Sequence, residues 1–364
     1  MAAHPDSLKK TPWTFIISAG LGVVFLALKS AGLDFGSSAP ILIIEALLLG
    51  FAVFGAVHHA ELLAVRVGEP FGSIILALAV TIIEAALIIS QMASGKPGVE
   101  FIGRDAVFAT VMIVLNGIVG FALLIGGARH REQQFSLDGA SAALSVLATL
   151  AALALILPNF TVTMPGPRYA DNQLAFVGVV SLLLYGIFVF VQTVRHRDYF
   201  EAGGEKTSHA PPPPRMVLLA SVFLPISLAI VVLMAKTLSG PIDAAIAAAG
   251  FPAATLGVVI AALVLLPESI AALKAAAHNQ LQTSLNLALG SAIATIGLTI
   301  PTLAAYALWQ GASLSLGITQ GSIALLVLTL FISSVTLATG RTTILQGAVH
   351  LVIFGVFLFL TVVP

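Results

Sequence analysis

The segments LALAVTIIEAALIIS (residues 76–90) and VVIAALVLLPESIAAL (residues 258–273) each place one glutamate in the middle of an apolar run. A carboxylate at membrane depth costs about 2.5–3.5 kcal/mol on insertion scales, so such an acid is a functional-site hypothesis by default. These acids, Glu84 and Glu268, occur at matching places in the two halves of the chain. The pair therefore predicts a membrane protein with a polar site in its interior.

The composition of the chain also indicates a polytopic membrane protein. Of the 364 residues, 59% are hydrophobic and 9% are charged, whereas about 25% are charged in an ordinary soluble domain. The chain has no cysteine, which excludes disulfides, thiolate metal sites and cysteine nucleophiles. Its formal net charge is zero and it has no long basic run, so no nucleic-acid partner is expected. The polar N-terminus lacks an Ala-x-Ala cleavage site, so we expect a retained first helix.

Apolar runs long enough to cross a bilayer occur eleven times, since a membrane helix needs about 20 apolar residues. The predicted helices cover residues 13–32, 40–64, 71–93, 104–127, 136–157, 172–196, 216–237, 248–276, 282–308, 317–337 and 342–363. Glycine and proline clusters separate several of them, at 32–36, 68–70, 95–98, 165–167 and 240–241. We therefore predict an all-α, polytopic membrane protein with about eleven transmembrane helices.

The lysines and arginines predict the orientation of these helices. Eleven of them fall in the N-terminal tail and the even-numbered loops, and five in the odd-numbered loops. Because cytoplasmic loops carry the excess of Lys and Arg, we expect a cytoplasmic N-terminus and a periplasmic C-terminus.

A polar segment, RHRDYFEAGGEKTSHAPPPPR (residues 195–215), divides the chain. Its proline run is expected to be stiff and extended. We predict an N-terminal tail and first helix (1–39), a first five-helix repeat (40–196), a cytoplasmic linker (197–215) and a second five-helix repeat (216–364). An odd number of helices in each repeat makes the second enter the membrane in the opposite sense, which is the inverted-repeat plan of many secondary transporters.

The surroundings of the two acids are expected to supply oxygen ligands. Thr81 lies one turn before Glu84, and Pro267, directly before Glu268, frees a backbone carbonyl because it lacks an amide hydrogen. Ca²⁺ takes about six to eight oxygen ligands, whereas zinc sites favour nitrogen and sulfur. We expect Glu84 and Glu268 to bind a metal cation. The expected supporting ligands or gate residues are Thr81, Asn116, Pro267, Ser291 and Thr295.

The charge of the two acids suggests a mechanism. Two ionised carboxylates carry a charge of minus two, which one divalent cation or two protons would neutralise, and an empty ionised site in a low-dielectric interior is costly. Cation and protons are therefore expected to compete for one site. Alternating exposure of a site that is never left empty is antiport.

Several of these residues also have structural interpretations. Either acid could bond a neighbouring helix, and Asn116 could be an interhelical packing hydrogen bond. Glu45, a third acid in the membrane, has either a structural role or a place in a proton path. His58, His59 and Glu61 at the end of the second helix could sense pH, because histidine titrates near neutrality, or could mark the membrane interface.

The chain resembles the calcium/proton exchanger branch of the calcium/cation antiporter superfamily, and in particular bacterial antiporters that exchange calcium, sodium or potassium for protons. The resemblance covers nearly all of the chain. It rests on AVTIIEAALI (79–88), VMIVLNGIVGFALLIGGARHREQQF (111–135), LLPESIAALKAA (265–276), QTSLNLALGSAIATIGLTIP (282–301) and GRTTILQGAVHL (340–351). It implies a first helix followed by two inverted five-helix repeats, a place in the bacterial inner membrane, and essential roles for Glu84 and Glu268.

The acid motifs depart from the family pattern Gly-Asn-x-x-Glu. The matching positions are residues 80–81 (Val-Thr) and 264–265 (Val-Leu), Ser269 replaces a histidine, and Ala294 replaces a glutamine that many relatives carry. The expected function is exchange of a metal cation, Ca²⁺ first, for protons. A Na⁺ or K⁺/H⁺ antiporter and a cation channel are the alternatives. No hydrolase or protease motif is present, so we expect no enzyme and no resident cofactor. The expected partners are the transported ions and membrane lipid, and the oligomeric state is left open.

Overall fold

The computed structural model describes residues 13–31, 39–68, 71–200 and 212–364. Most of these residues are helical. The helices are α1 (Trp13–Ser30), α2 (Ala39–Val67), α3 (Phe71–Met92), α4 (Ile102–Met112), α5 (Val119–His130), α6 (Leu137–Ala151), α7 (Asp171–Phe190), α8 (Pro214–Ala248), α9 (Ala254–Ala277), α10 (Leu281–Ala294), α11 (Ile300–Gln310), α12 (Gln320–Leu337) and α13 (Ile344–Val362).

Short π-helical segments join two pairs of these helices end to end. The segment Ile113–Ile118 joins α4 to α5, and the segment Thr295–Thr299 joins α10 to α11. We call the continuous rods the α4–α5 helix (Val99–His130) and the α10–α11 helix (Leu281–Gln310). Further π or 3-10 turns occupy Val99–Phe101, Ala152–Ile156, Leu157–Phe160, Val191–Arg195 and Arg197–Tyr199. π turns are frequent at functional sites.

The predicted helix count is confirmed. When each joined pair is counted as one helix, the described residues form eleven long helices. Ten are long and apolar enough to cross a membrane, and α1 adds a shorter apolar stretch, Ala19–Lys29. The only strands in the described part of the chain are two residues long: β1 (Gln133–Gln134) pairs antiparallel with β2 (Arg341–Thr342).

One predicted break is wrong. Residues 240–241 (Gly-Pro) do not end a helix, because α8 continues through Pro241 to Ala248. A proline removes one helical hydrogen bond and bends a helix without necessarily ending it. The end comes at Gly250, whose φ of 73° is the left-handed conformation typical of a helix C-terminus. The helix predicted at 248–276 accordingly begins at Ala254.

The contacts divide the chain into two compact units. The small unit lies within Ala2–Gly95 and Lys206–Gly250 and contains α1, α2, α3 and α8. The large unit lies within Lys96–Glu205 and Phe251–Pro364 and contains the other helices. Each unit therefore combines helices from both halves of the sequence.

Small residues allow close packing in the small unit. Ala52, Ala56 and Ala60 of α2 are buried at four-residue spacing, which is the small-residue pattern of tightly packed membrane helices. Helices α2 and α8 pack together, and Leu62 and Ala220 form a buried cluster between them.

The α4–α5 helix forms the core of the large unit. In its most apolar stretch, 83% of the residues are buried. The helix packs against α9, α10 and α13. A helix that is apolar and buried all round is a core element rather than a lipid-facing one.

Two helix crossings in the large unit use the same kind of contact. Gly117, in the first π segment, lies beside the ring of Phe354 in α13, where a Cβ would be 3.2 Å from the nearest ring atom. Gly297, in the second π segment, lies beside Tyr185 of α7, where a Cβ would be 2.6 Å from the tyrosine Cβ. In each case a glycine of a π segment packs against an aromatic residue of the crossing helix.

The register of the two crossings also agrees. Gly347, seven residues before Phe354, lies beside Leu124, which follows Gly117 by seven residues. In the second crossing, Gly178 and Ala304 lie side by side and hold the same spacings from Tyr185 and Gly297. Each half of the chain thus packs its third long helix against the last helix of the other half. Such a repeated contact is compatible with inverted repeats related by a pseudo-two-fold axis. The repeat boundaries themselves stay a prediction.

Candidate functional site

Glu84 lies on α3 in the small unit and is 1% exposed. Thr81, one turn earlier on the same helix, is also buried, and its hydroxyl oxygen has no hydrogen-bond partner among the described residues. A buried polar oxygen without a partner is costly. Thr81 therefore offers an unused oxygen ligand close to Glu84 along the helix.

Glu268 lies on α9 in the large unit, and α9 continues without interruption through Pro267. The Oε2 atom of Glu268 is buried and has no hydrogen-bond partner in the part of the chain that the structure describes. Because Pro267 has no amide hydrogen, it cannot bond the carbonyl of Leu263, four residues earlier. The hydroxyl of Ser269, in contrast, donates to the Leu265 carbonyl at 2.6 Å and is occupied within the helix.

The start of each acid helix makes a close backbone contact through a glycine. A Cβ on Gly72 would lie 2.6 Å from the Ala64 carbonyl oxygen, and a Cβ on Gly257 would lie 2.8 Å from the Ala106 amide nitrogen. Gly72 precedes Glu84 by twelve residues, and Gly257 precedes Glu268 by eleven. The absence of a side chain at these two positions allows α3 to pack closely on α2 and α9 to pack closely on α4.

The C-terminal end of α9 is held by the last residue of α5 and by β1. The Gln133 amide nitrogen donates to the Ala276 carbonyl and to Asn279 Oδ1, both at 3.0 Å. A ring nitrogen of His130 lies 3.1 Å from the Ala277 carbonyl. These bonds satisfy carbonyls that a helix end leaves open. Gln133 is not among the residues predicted from the sequence, where its only signal is polarity next to an arginine-rich helix end.

Asn116 lies in the first π segment and is fully buried. Its amide nitrogen donates to Thr329 Oγ1 of α12 at 3.0 Å, and its Oδ1 lies 3.2 Å from His350 Nδ1 of α13. These contacts are the interhelical packing bonds that the sequence allowed as a structural interpretation. A role for Asn116 as a cation ligand stays a prediction.

The polar residues of the α10–α11 helix have different surroundings. Ser291 is half-buried, and Thr295 is buried at the start of the second π segment, with its amide bonded to the Ser291 and Ala292 carbonyls. Asn286, nearer the beginning of the helix, donates to the Phe200 carbonyl, so it holds a helix end. Ser291 and Thr295 stay candidate ligands.

Glu45 of α2 is buried and has partners from two other helices of the small unit. Lys29 Nζ of α1 lies 3.2 Å from Glu45 Oε1, and the Thr237 hydroxyl of α8 donates to the same oxygen. Glu45 therefore ties α1, α2 and α8 together. This geometry favours the structural interpretation of Glu45 over a place in a proton path.

The histidine pair of α2 lies inside the small unit. His59 is 3% exposed, and neither of its ring nitrogens has a hydrogen-bond partner among the described residues. Its ring stacks on Phe223 of α8 with centroids 5.9 Å apart, and His58 lies edge-on to it at 5.8 Å. Glu61 is also buried. Residues that only mark a membrane interface would be exposed, whereas His59 and Glu61 are buried.

The predicted site residues are distributed over both units. Glu84, Thr81, Glu45, His58, His59 and Glu61 belong to the small unit, and Glu268, Pro267, Asn116, Ser291 and Thr295 belong to the large unit. Among the described residues, no three His, Asp or Glu side chains gather closely enough to hold a metal ion.

Comparisons with known proteins bear on the function. A candidate ionic transporter of Sinorhizobium fredii, y4hA, is 52% identical over 97% of this chain and 96% of its own length. The sodium-potassium/proton antiporter ChaA of Escherichia coli is 34% identical over 84% of each chain. The structure of native YfkE matches 96% of this chain and 100% of its own, with a TM-score of 0.74 at 17% identity. The last comparison shows a shared fold.

The family comparison covers most of the sequence. The sodium/calcium exchanger protein family matches residues 37–194 and 219–363, which confirms the resemblance to the cation antiporters. The family consists of transporters, so the expectation of a non-enzymatic function is also confirmed. The chain belongs to the sodium/calcium exchanger family and is a multi-pass membrane antiporter of cations.

Proposed function

We propose that the protein exchanges a metal cation for protons across the bacterial inner membrane, and that Glu84 and Glu268 bind cation and proton alternately. The observation that carries this proposal is the buried Oε2 atom of Glu268, which has no hydrogen-bond partner among the described residues. An ionised carboxylate in such a place needs a counter-charge. A cation or a proton supplies it, and the two exclude each other.

Glu84 is the second acid of this proposal. Glu84 is buried on α3, and the Thr81 hydroxyl one turn away has no partner in the described part of the chain. Thr81, the Leu263 carbonyl freed by Pro267, Ser291 and Thr295 are the supporting oxygens in this proposal.

Calcium is the first candidate for the transported cation because its double charge matches that of the two carboxylates. Two carboxylates are neutralised by one divalent cation or by two protons, so neither loaded form leaves a net charge in the low-dielectric interior. YfkE, whose fold the chain shares, is named a Ca²⁺/H⁺ antiporter.

A Na⁺ or K⁺/H⁺ antiporter is the second candidate, and a different observation favours it. Calcium needs about six to eight oxygen ligands, yet the Asn116 amide and the Ser269 hydroxyl are bonded to protein groups. ChaA, named a sodium-potassium/proton antiporter, is 34% identical to this chain, whereas YfkE is 17% identical.

The membrane orientation and the histidine pair belong to the same proposal. The excess of basic residues in the even-numbered loops supports a cytoplasmic N-terminus and a periplasmic C-terminus. His58, His59 and Glu61 would then lie toward the cytoplasmic end of α2. The ring nitrogens of His59 have no hydrogen-bond partner among the described residues, which supports a pH-sensing role for this cluster.

Proteoliposomes with an acidic interior and an internal pH dye test the proposal. Adding Ca²⁺, Na⁺ or K⁺ separately to the outside should raise the internal pH for each true cargo. Glu84→Gln and Glu268→Gln should each abolish this exchange, whereas Glu132→Gln, at an exposed loop acid, should leave it intact.

The outcomes separate the candidates. A response to Ca²⁺ alone supports the first cargo, and a response to Na⁺ or K⁺ alone supports the second. Isotopic cation flux without proton movement would replace antiport by a channel. Full exchange by either glutamine variant would remove that glutamate from the mechanism.

A further inference from the structure

A buried polar cluster crosses three helices of the large unit. Asn116 Nδ2 donates to Thr329 Oγ1 at 3.0 Å, His350 Nδ1 lies 3.2 Å from Asn116 Oδ1, and His350 Nε2 lies 3.1 Å from Thr336 Oγ1. All four side chains are buried. We call this group, made of Asn116, Thr329, Thr336 and His350, the Asn116 clasp.

The hydrogen-bonding chemistry of the clasp fixes the state of its histidine. The Asn116 oxygen only accepts, so His350 Nδ1 must carry the hydrogen. In the neutral ring Nε2 is then an acceptor, and Thr336 donates to it. Every polar group of the clasp thus has a compatible partner, which is the condition for a buried network to be stabilising.

The Asn116 clasp holds a π segment that packs against α9, the helix of the proposed cation-binding residue Glu268. The π segment Ile113–Ile118 packs against α9, which carries Glu268, and against α10. On its other side it is held by α12 and α13 through the clasp. Next to the clasp, a Cβ on Gly120 would lie 3.1 Å from the His350 Cβ, so the α4–α5 helix and α13 are in close contact at this level.

The matching helix crossing in the other half has no such histidine. In α13, His350 stands three residues after Gly347 and four before Phe354; in α7, Ser181 stands three after Gly178 and four before Tyr185. The Ser181 hydroxyl is buried and has no hydrogen-bond partner among the described residues. A small residue is therefore enough to pack the crossing of α7 with the α10–α11 helix. At the equivalent place in α13, the imidazole of His350 adds hydrogen bonds to Asn116 and Thr336 that packing alone does not require.

We propose that His350 is a positioning residue of the exchanger, which holds Asn116 and the π segment in the register that sets the α4–α5 helix against α9. This inference rests on the proposed function, because the positioned helix packs against α9, which carries Glu268. His350 acts through Asn116 and not by touching the cation.

Three variants test the proposal. His350→Leu removes the hydrogen bonds at similar volume, His350→Asn restores a donor near the Nδ1 position, and Ser181→Ala is the matched control at the equivalent place. In proteoliposomes, His350→Leu should raise the KM for the cation about tenfold, as expected for a lost buried hydrogen bond. His350→Asn should recover most of this loss, and Ser181→Ala should leave the KM within about twofold.

Hydrogen–deuterium exchange supplies a readout that does not depend on transport. Peptides covering residues 105–125 should take up deuterium faster in His350→Leu than in the wild type, and His350→Asn should reverse the change. An unchanged KM and unchanged uptake in His350→Leu, even with a lower melting temperature, would reduce His350 to a packing residue. A wild type without cation/proton exchange would overturn the proposed function, and the uptake would then still decide whether His350 holds the π segment.

Discussion

Lys29 of α1 places its Nζ atom 3.2 Å from Oε1 of Glu45, a carboxylate of α2 that is buried in the small unit. The Thr237 hydroxyl of α8 donates to the same carboxylate. The Glu45 side chain therefore connects three helices, and Lys29 is a basic partner of this acid within hydrogen-bond distance.

Removing the lysine should destabilise the small unit. Lys29→Met takes the lysine partner away from a buried carboxylate, and the loss of a partner to a buried polar group costs about 1–3 kcal/mol. The double variant Lys29→Met/Glu45→Gln should recover part of the loss, because no uncompensated charge remains. Thermal unfolding in detergent measures both. Equal melting temperatures for the wild type and Lys29→Met would show that the ion pair has no structural role.

Cation and proton should compete for the exchanger. If Glu268 binds both alternately, lowering the pH on the cation side should raise the apparent KM for the cation while the maximal rate stays constant. Initial rates of cation uptake over a series of external pH values measure this relation. A maximal rate that falls with the KM unchanged would mean that the proton acts at a separate site.

The start of α9 should not tolerate a side chain at Gly257. A Cβ there would lie 2.8 Å from the backbone of Asp105 and Ala106, so Gly257→Ala should cost about 1–3 kcal/mol by overpacking. Gly290→Ala is the matched control, since nothing lies within 4 Å of a Cβ at that position. Thermal unfolding of the two variants should differ clearly. Similar stabilities would contradict the close contact between α9 and α4.

The far end of α9 should depend on Gln133. Gln133→Ala removes the amide that bonds the Ala276 carbonyl, and we expect a loss of about 1 kcal/mol together with faster deuterium uptake in the last turn of α9. Gln134→Ala, at the exposed neighbouring position, is the control. Equal uptake in both variants would show that Gln133 does not hold this helix end.

Much of the fold followed from apolar length and turn residues. The helix bounds agree closely with the apolar runs because the bilayer requires long helices and each long apolar run can satisfy that need locally. The error at residues 240–241 has a local cause as well. A proline in an otherwise apolar helix gives the same sequence signal whether the helix bends or ends, and only Gly250 marks the true end of α8.

The contacts of the site residues were harder to predict. Asn116 bonds residues 213 and 234 positions away, and a π turn rotates the side chains that follow it relative to a regular α-helix. The face of the helix on which Asn116 lies therefore could not be read from its spacing. The polarity of Asn116 was visible in the sequence; its partners Thr329 and His350 depend on tertiary packing.

The continuation of α8 through Pro241 has a consequence for how this helix meets the lipid. At about 1.5 Å per residue, its 35 residues span about 52 Å, whereas the hydrocarbon layer is about 30 Å thick. Such a mismatch is relieved by tilt, by a bend, or by turns that stand in the headgroup region and in water. The prolines at 225 and 241 give α8 two places to bend, and its exposed alanine-rich last turns lack the apolar bulk that would hold them in lipid. Helix α8 therefore reaches beyond the hydrocarbon layer, and its last turns meet the headgroups and the water beyond them.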